Sequence, residues 1–231
     1  MEKFLIQGGI PLNGEVTPAG NKNAALPMLA ATLLSEEAII LHNVPQIRDV
    51  QDMRKLLESM GADVVDLGET SWQITAKALT PLDLDIELSR RIRASILLAG
   101  PITARCGELR LPPPGGDVIG RRRLDTHFLA LEALGAEVRY DRILEFNANG
   151  LKGANILFDE ASVTATENAV MAAVLAKGKT IIRNAASEPH VQELCHLLNS
   201  LGAKIEEIGS NTLHIEGVPS LHGGEFTIGA D

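Results

Sequence analysis

Three stretches of the chain are apolar on nearly every face of a helix, and this pattern sets the predicted fold. They are rich in alanine and occupy residues 23–34, 92–104 and 167–176. A helix without a polar face has to be buried on most of its sides, so we expect these three helices at the centre of the protein. A short strand is predicted after each of them, at residues 38–41, 108–111 and 180–183.

Each of these strands leads through a loop to a second, amphipathic helix, and the second helices end in a shared motif. An apolar helix end is followed by a glycine and then by a strand, at Gly61, Gly135 and Gly202, which is typical of a helix C-cap. Glycines that recur at intervals of about 70 residues indicate repeated supersecondary units. The second helices are predicted at residues 50–60, 125–134 and 191–201, with pairs of strands after them, as at 62–66 with 73–75 and 204–207 with 212–215.

The alternation of helices and strands places the chain in the α/β (α+β) class. We predict three copies of one βαβαββ-type unit, packed with the apolar helices inside and the sheets outside. The third copy is expected to close near residues 216–219. Residues 1–9, ahead of the first copy, predict a strand followed by a turn.

The second unit departs from the other two in one loop, which runs from residue 111 to about residue 123. Its sequence, LPPPGGDVIGRRR, contains three prolines and three glycines and predicts a long mobile segment. Loops carry binding and catalytic residues more often than cores do. Consecutive arginines at positions 121 to 123 favour a phosphate or carboxylate ligand. Asp117 lies ahead of them, where it is placed to give or take a proton.

Composition narrows the classes of function. The chain has 231 residues, of which 45% are hydrophobic and only 3% aromatic, so a sizeable aliphatic core is expected. Few aromatic rings and a net charge of −9 argue against nucleic acid or an anionic membrane as a partner. The two cysteines, Cys106 and Cys195, form no CxxC motif and are predicted to be packing residues of a cytoplasmic protein. We expect no signal peptide, membrane span, metal site or cofactor.

Three motifs in combination with the repeats carry a resemblance to a known family. They are GNKNAALP at residues 20–27, RAS at 93–95 and LPPPGGDVIG at 111–120. Together they resemble enolpyruvyl transferases, in particular those that act on a nucleotide sugar, and the resemblance covers essentially the whole chain. It implies an inside-out α/β barrel domain with three repeats, and a second such domain of similar size.

The resemblance also implies how the chain divides. Residues 1–21 are expected to form an N-terminal strand that belongs to the other, mostly missing, domain. Residues 22–229 are expected to be one complete three-repeat domain, and residues 230–231 to begin the crossover to the missing C-terminal domain. We therefore expect a fragment that is inactive alone, because in the family the missing half supplies a carboxylate base and further arginines.

The implied reaction transfers the enolpyruvyl group of phosphoenolpyruvate to the 3-hydroxyl of UDP-N-acetylglucosamine and releases phosphate, the first committed step of peptidoglycan synthesis. By position in the motifs, the residues expected at phosphoenolpyruvate are Lys22, Asn23 and Arg122. Those expected at the nucleotide sugar are Asn23, Arg93, Arg122, Arg123, Leu124, Asp125 and Thr126, and more weakly Ser162 and Val163. Asp117 is expected to be the proton donor, and Lys22 to act with it in catalysis.

Each of these residues also has a purely structural interpretation. Lys22 is then a solvated lysine before a helix, Arg93 an arginine that extends from a helix end, and Asp125 a helix N-cap. His127 is expected to be capping or packed, and Thr166 to cap the third apolar helix. Glu160 stands where some relatives have a lysine beside the nucleotide. This difference weakens the assignment of Ser162 and Val163 to the nucleotide sugar.

Two other functions remain open at this point. One is the enolpyruvyl transferase of the shikimate pathway, which shares the architecture but fits the GNKNAALP and loop motifs less well. The other is a non-catalytic domain that binds a UDP-sugar, which the length of the chain allows.

Asp117 occupies the position where most relatives have a cysteine, and this difference has a chemical consequence. A free thiol has a pKa of about 8.5 and an aspartic acid one of about 3.9. Asp117 can therefore serve as an acid at neutral pH only if desolvation or a bound anion raises its pKa.

We expect the complete enzyme to resist epoxide antibiotics of the fosfomycin type, because a carboxylate is a much poorer nucleophile than a thiolate. Asp117→Cys should create sensitivity. Mass spectrometry after incubation with fosfomycin and UDP-N-acetylglucosamine measures the covalent adduct. Time-dependent alkylation of the unchanged protein at low inhibitor concentration would contradict this expectation.

Overall fold

A computed structural model describes residues 3–81, 84–115 and 123–231 of the chain. Two of the residues expected at the site, Asp117 and Arg122, lie outside the described residues, as does the neighbouring Arg121. The elements of the first unit are α1 (Lys22–Ala31), continued by a 3₁₀ helix (Thr32–Leu34), then β1 (Ile39–His42), α2 (Arg48–Ser59), β2 (Asp63–Gly68) and β3 (Ser71–Thr75), with the short α3 (Ile86–Ser89) after it.

The second and third units follow the same order. The second contains a 3₁₀ helix (Arg93–Leu98), α4 (Ala99–Cys106), β4 (Glu108–Leu111), α5 (Asp125–Ala133), β5 (Glu137–Tyr140) and β6 (Leu144–Asn147). The third contains β7 (Asn155–Leu157), α6 (Val163–Ala173), β8 (Lys179–Arg183), α7 (Pro189–Ser200), β9 (Lys204–Glu206), β10 (Thr212–Glu216) and finally β11 (Gly224–Thr227).

The apolar helices form the core, as the sequence predicts. Every residue of α1 from Ala24 to Ala31 is buried, and so is every residue of α6 from Ala165 to Ala173. Helix α6 packs against α4 and α5, and α1 packs against α2 and α7. Alanine is frequent in these helices, which lets their backbones approach closely.

Each unit contributes one sheet on the outside of this helical core. Within the described part of the chain, the strands of the three sheets lie in the orders β11-β1-β3-β2, β4-β6-β5 and β7-β8-β10-β9. The first strand of the third sheet, β7, runs parallel to β8, and β11 runs parallel to β1. The βαβαββ order is therefore complete within the third unit, whereas the first unit takes its outer parallel strand from the C-terminal segment. The prediction of helices inside and sheets outside is confirmed.

The last strand brings the two ends of the domain together. The Asn21 backbone N–H donates to Gly229 at 2.8 Å, and the Asp231 N–H donates to Ala19 at 3.0 Å. The Asn21 side chain also donates to the Asp231 carboxylate at 2.9 Å. The N-terminus of α1 is thereby held against residues 229–231.

Residues 3–19 are exposed, and no strand is assigned to them in this chain. The strand expected within residues 1–9 therefore does not form with the described residues of this domain. The large apolar side chains of this segment are between 69% and 101% exposed: Phe4, Leu5, Ile6, Ile10, Leu12 and Val16.

The apolar pattern predicts a continuous α-helix over residues 92–104. The structure differs, because the second core helix changes from a 3₁₀ helix to an α-helix at Ala99. In an α-helix the Gly100 N–H would donate to the Ile96 carbonyl. Here the side chain of Asn168, on α6, takes both partners: its Oδ1 accepts from Gly100 at 2.7 Å and its Nδ2 donates to Ile96 at 2.8 Å. A polar side chain inserted into the helical ladder is a recognised cause of such a break.

The predicted cap of α6 is wrong, and so is the structural alternative that made Asp125 a helix N-cap. Helix α6 begins at Val163 with Ser162 as its N-cap residue, and Thr166 lies inside its first turns, where its hydroxyl donates to the Ser162 carbonyl at 2.8 Å. Asp125 is the first residue of α5 and Leu124 is the N-cap residue. The carboxylate of Asp125 instead pairs with the guanidinium of Arg123.

Gly100→Ala is expected to destabilise the fold, although alanine favours helices more than glycine does. A Cβ at this position would lie 2.4 Å from the Asn168 carbonyl oxygen, which belongs to a buried backbone that cannot yield cheaply. We expect a loss of about 1–3 kcal/mol in the free energy of unfolding, measured by urea titration. Ala104→Ser, on the partly exposed face of the same helix, is the control and should change it little. Equal stability of Gly100→Ala and the unchanged chain would contradict the close approach.

Candidate active site

A cavity of about 730 Å³ opens where the first turns of three core helices converge. Residues from the start of α1, from the 3₁₀ helix of the second unit and from the start of α6 line it. Among the described residues, four cationic side chains contribute to its wall, together with acidic side chains and one histidine. The ionisable lining residues are Lys22, Arg91, Arg93, Arg123, Asp49, Glu160, Glu167, Glu188 and His190.

Lys22 is the first residue of α1, and its position follows from the cap before it. The Asn21 side chain accepts from the N–H groups of Asn23 at 2.7 Å and Ala24 at 3.2 Å, which ends the loop and begins the helix. The Lys22 ammonium lies 3.4 Å from the carboxylate of Asp49, and both side chains are 45% exposed. Lys22 is therefore ion-paired with Asp49, and an anionic ligand has to compete with this carboxylate for the ammonium.

Arg93 begins the 3₁₀ helix of the second unit and is half-buried in the cavity wall. Its guanidinium donates to the backbone carbonyl of Arg123 at 3.4 Å. This contact ties the start of the second core helix to the segment that leads into α5. Arg93 and Arg123, which the resemblance assigns to one ligand, are thus brought together by the fold.

Arg123 is paired with two carboxylates. Its guanidinium pairs with both carboxylate oxygens of Asp125 and with Asp159, at 3.2 Å from the latter. The hydrogen bonds that the Arg123 guanidinium donates to Asp125 raise the pKa of Arg123. Two carboxylates beside one guanidinium leave little net positive charge for a ligand at this position.

The three residues that follow Arg123 in the sequence, Leu124, Asp125 and Thr126, are also expected at the ligand. Thr126 is buried, and its hydroxyl lies 3.3 Å from Asp159 and 3.5 Å from Glu160. Leu124, Asp125 and Thr126 are not among the cavity-lining residues, whereas Lys22, Asn23, Arg93, Arg123, Ser162 and Val163 all are. The described structure thus brings six of the expected site residues to one cavity.

The start of α6 supplies donors of a different kind. Ser162 makes no side-chain cap, so the N–H groups of the first turn have no cap acceptor and point toward the cavity end of the helix. Such N–H groups, together with the helix dipole, favour an anion. Glu160 lies nearby with an exposed carboxylate and opposes this preference.

Glu167 was not predicted as a site residue, yet it lines the cavity from α6 and is only 1% exposed. Burial raises the pKa of its carboxyl well above the ordinary value, and Glu188 raises it further. Its Oε1 has no hydrogen-bond partner among the described residues. A glutamate at the start of an alanine-rich helix predicted to be buried was the available signal in the sequence, since fully buried glutamates are rare.

His127 is packed, as expected, and is 2% exposed. Its Nδ1 lies 2.9 Å from Asn168 Nδ2 and its Nε2 lies 3.1 Å from the hydroxyl of Thr164. Burial and, to a smaller extent, the nearby Arg93 lower its pKa to about 3, while Asp125 acts in the opposite direction. The imidazole is therefore neutral at physiological pH.

The two cysteines lie outside the cavity and are both free. Cys195 is buried on α7, where desolvation raises its pKa to about 12, and desolvation also raises the pKa of the half-buried Cys106. Neither thiol ionises readily at neutral pH, so neither is a reactive nucleophile. Among the described residues no group of three or more His, Cys, Asp or Glu side chains is arranged to hold a metal ion. None of the described helices has the length and apolar character needed to cross a membrane.

Comparisons with known proteins agree with this architecture. The chain is 54% identical over 231 residues to the UDP-N-acetylglucosamine 1-carboxyvinyltransferase of Treponema pallidum and 56% identical over 231 residues to that of Treponema denticola. Both matches include 100% of this chain and 54% of the relative. The chain therefore spans about half the length of the curated relatives it matches.

Solved structures show the same fold at much lower identity. The enolpyruvyl transferase NikO from Streptomyces tendae superposes with a TM-score of 0.82 at 22% identity, covering 98% of this chain and 54% of that one. EPSP synthase from Acinetobacter baumannii superposes with a TM-score of 0.74 at 17% identity, covering 94% of this chain and 50% of the other.

The family model for EPSP synthase matches residues 6–231, which is nearly the whole chain. The match includes the buried helices, the three sheets and every described residue of the cavity. It confirms the resemblance to enolpyruvyl transferases found in the sequence. This chain belongs to the EPSP synthase (3-phosphoshikimate 1-carboxyvinyltransferase) family.

Proposed function

We propose that this chain is the N-terminal half of an enzyme that transfers the enolpyruvyl group of phosphoenolpyruvate to the 3-hydroxyl of UDP-N-acetylglucosamine. The observation that carries the proposal is the cavity in which Lys22, Arg93 and the first turn of α6 converge. Both substrates are anions, and cations at a helix N-terminus are suited to bind them. Relatives at 54% and 56% identity bear the name of this activity.

Within this proposal Lys22 and Asn23 bind phosphoenolpyruvate. Lys22 is a compact cation with three donors, and Asp49 holds it at the cavity until an anion replaces the carboxylate. Arg122, which lies outside the described residues, is assigned to both substrates from its place in the loop motif. Asn23, Arg93 and the α6 start at Ser162 and Val163 are assigned to the nucleotide sugar.

Arg123, Leu124, Asp125 and Thr126 are assigned a supporting part at the nucleotide sugar. The pairing of Arg123 with Asp125 and Asp159 places its charge in a local network and orients the start of α5. Its backbone carbonyl also holds Arg93. The segment can therefore shape the uridine end of the site while contributing little net charge to it.

Asp117 is assigned as the general acid that protonates the methylene carbon during the addition step. The carboxyl needs a raised pKa to hold a proton at neutral pH, and closure of the loop over a bound phosphate supplies both desolvation and a neighbouring anion. The reaction then proceeds by addition to the double bond and elimination of phosphate. In this assignment neither a metal ion nor a cofactor takes part.

A second domain is part of the proposal. Residues 3–19 expose a run of apolar side chains that a protein in water normally covers. We assign them, with residues 1–2, to the C-terminal domain of the complete protein, and residues 230–231 to the crossover into it. The contacts between residues 19–21 and 229–231 place both chain segments at one edge of this domain. A cytoplasmic location fits the two free thiols.

Isothermal titration of the chain with UDP-N-acetylglucosamine tests the binding half of the proposal. Arg93→Ala should weaken binding about tenfold or more, because a hydrogen bond to a charged group is removed. Arg139→Ala is the matched control, since Arg139 pairs with Glu137 on the outer sheet away from the cavity. Equal affinity of Arg93→Ala and the unchanged chain would argue against this cavity as the nucleotide site.

Joining the chain to the C-terminal half of the Treponema denticola relative tests the catalytic half. The joined protein should release phosphate only when both phosphoenolpyruvate and UDP-N-acetylglucosamine are present, and Lys22→Gln should reduce the rate at least a hundredfold. Lys204→Gln, at an exposed pair with Glu216, should leave the rate unchanged. Phosphate release that requires shikimate 3-phosphate instead would favour the other branch of the family, and binding without turnover would favour a non-catalytic domain.

A further inference from the structure

A buried network of hydrogen bonds connects the second core helix with α5 and with the start of α6, which lines the cavity. It runs from the backbone of the second core helix, at Ile96 and Gly100, to Asn168, then to His127 on α5 and finally to Thr164 on α6. Asn168 and His127 are 0% and 2% exposed. Thr164 is half-buried and lines the cavity. This series of hydrogen bonds therefore begins in the core and ends at the cavity.

The orientation of the Asn168 amide is fixed by its backbone partners. The Gly100 N–H can only donate, so the atom 2.7 Å away has to be the amide oxygen. The Ile96 carbonyl can only accept, so the atom 2.8 Å away has to be the amide nitrogen. A flipped amide would place donor against donor and acceptor against acceptor.

This orientation determines the tautomer of His127. The Asn168 nitrogen that lies 2.9 Å from His127 Nδ1 is a donor, so Nδ1 has to be the unprotonated acceptor. The proton of the neutral ring is then on Nε2. An imidazolium would present a second donor to the Asn168 amide nitrogen, which agrees with the strongly lowered pKa of this histidine.

The tautomer in turn determines what the Thr164 hydroxyl can do. Nε2–H donates to the Thr164 oxygen at 3.1 Å, so the threonine accepts this bond and keeps its own hydrogen for another acceptor. Among the described residues His127 is the only hydrogen-bond partner of this hydroxyl. The free hydrogen lies on a cavity-lining side chain, in the first turn of α6 beside backbone N–H groups that favour an anion.

We propose that the Thr164 hydroxyl donates a hydrogen bond to a phosphoryl oxygen of the bound ligand, and that His127 is the positioning residue that commits this hydroxyl to donation. The nature of the ligand, a nucleoside diphosphate, rests on the proposed function. The direction of the hydrogen-bond chain does not, because it follows from the backbone partners of Asn168.

The tautomer is tested first, on the chain itself without ligand. Side-chain ¹⁵N chemical shifts of His127 should show a protonated Nε2 and an unprotonated Nδ1 from pH 5 to pH 8. The groups that act on the ring's charge are Arg93, which disfavours the cation, and Asp125, which favours it. Asn168→Asp is the matched perturbation: its carboxylate can accept at Nδ1, so the ring should gain a proton there and titrate at higher pH. A protonated Nδ1 in the unchanged chain, or an ordinary histidine titration, would overturn the proposal.

The hydroxyl is tested by calorimetry with UDP-N-acetylglucosamine, UDP and uridine. Thr164→Val should weaken binding of the two diphosphates about tenfold and leave uridine binding unchanged. Thr164→Ser, which retains the hydroxyl, should restore most of the affinity. Thr212→Val, on the outer sheet, is a control for the substitution and should bind like the unchanged chain.

The outcomes separate this proposal from the proposed function. Diphosphate binding that Thr164→Val leaves intact would overturn the hydroxyl's role alone. Equal loss of uridine and diphosphate binding would also overturn it, because a phosphate contact cannot account for a loss at the nucleoside. Failure of the unchanged chain to bind either diphosphate would contradict the proposed function and this inference together.

Discussion

The side chain of Asn168, on the third core helix, binds the second core helix and His127 of α5 through one buried amide. It replaces the hydrogen bond that Gly100 and Ile96 would make with each other, and it does so from a helix 68 residues further along the chain. A buried amide is costly unless all of its hydrogen-bonding groups are paired. Here both are paired, so the polar group specifies one relative position of the second and third core helices.

That position controls how the cavity is built. The 3₁₀ helix that precedes Gly100 begins with Arg93. Helix α6, which contains Asn168, begins just after Ser162 and has Thr164 in its first turn. Fixing the two helices against each other therefore fixes the distance between a guanidinium and a set of helix N–H donors. Gly100 is required at the contact because a Cβ would meet the Asn168 backbone.

Two of the cations that line the cavity are paired with carboxylates. Lys22 is paired with Asp49, and Arg123 with Asp125 and Asp159. These exposed pairs are weak in water, so an anionic ligand can displace the carboxylates at modest cost. Burial raises the pKa of the Glu167 carboxyl, which disfavours a negative charge at a site for anions.

The sequence by itself determined the repeated helices and strands, the burial of the alanine-rich helices and the packing of His127. These features depend on local spacing, because apolar periodicity and a glycine C-cap are set by neighbouring residues. It also identified the motif residues Lys22, Arg93 and Asp117, of which the last lies outside the described residues.

Only the tertiary structure decided the break in the second core helix, the pairing of β11 with β1 and the occupation of Arg123 by two carboxylates. Each depends on groups far apart in the sequence. Asn168 breaks a helix to which it does not belong, and β11 completes a sheet that begins at residue 39. A local pattern cannot reveal such contacts, because their free energy arises only when the distant segments meet.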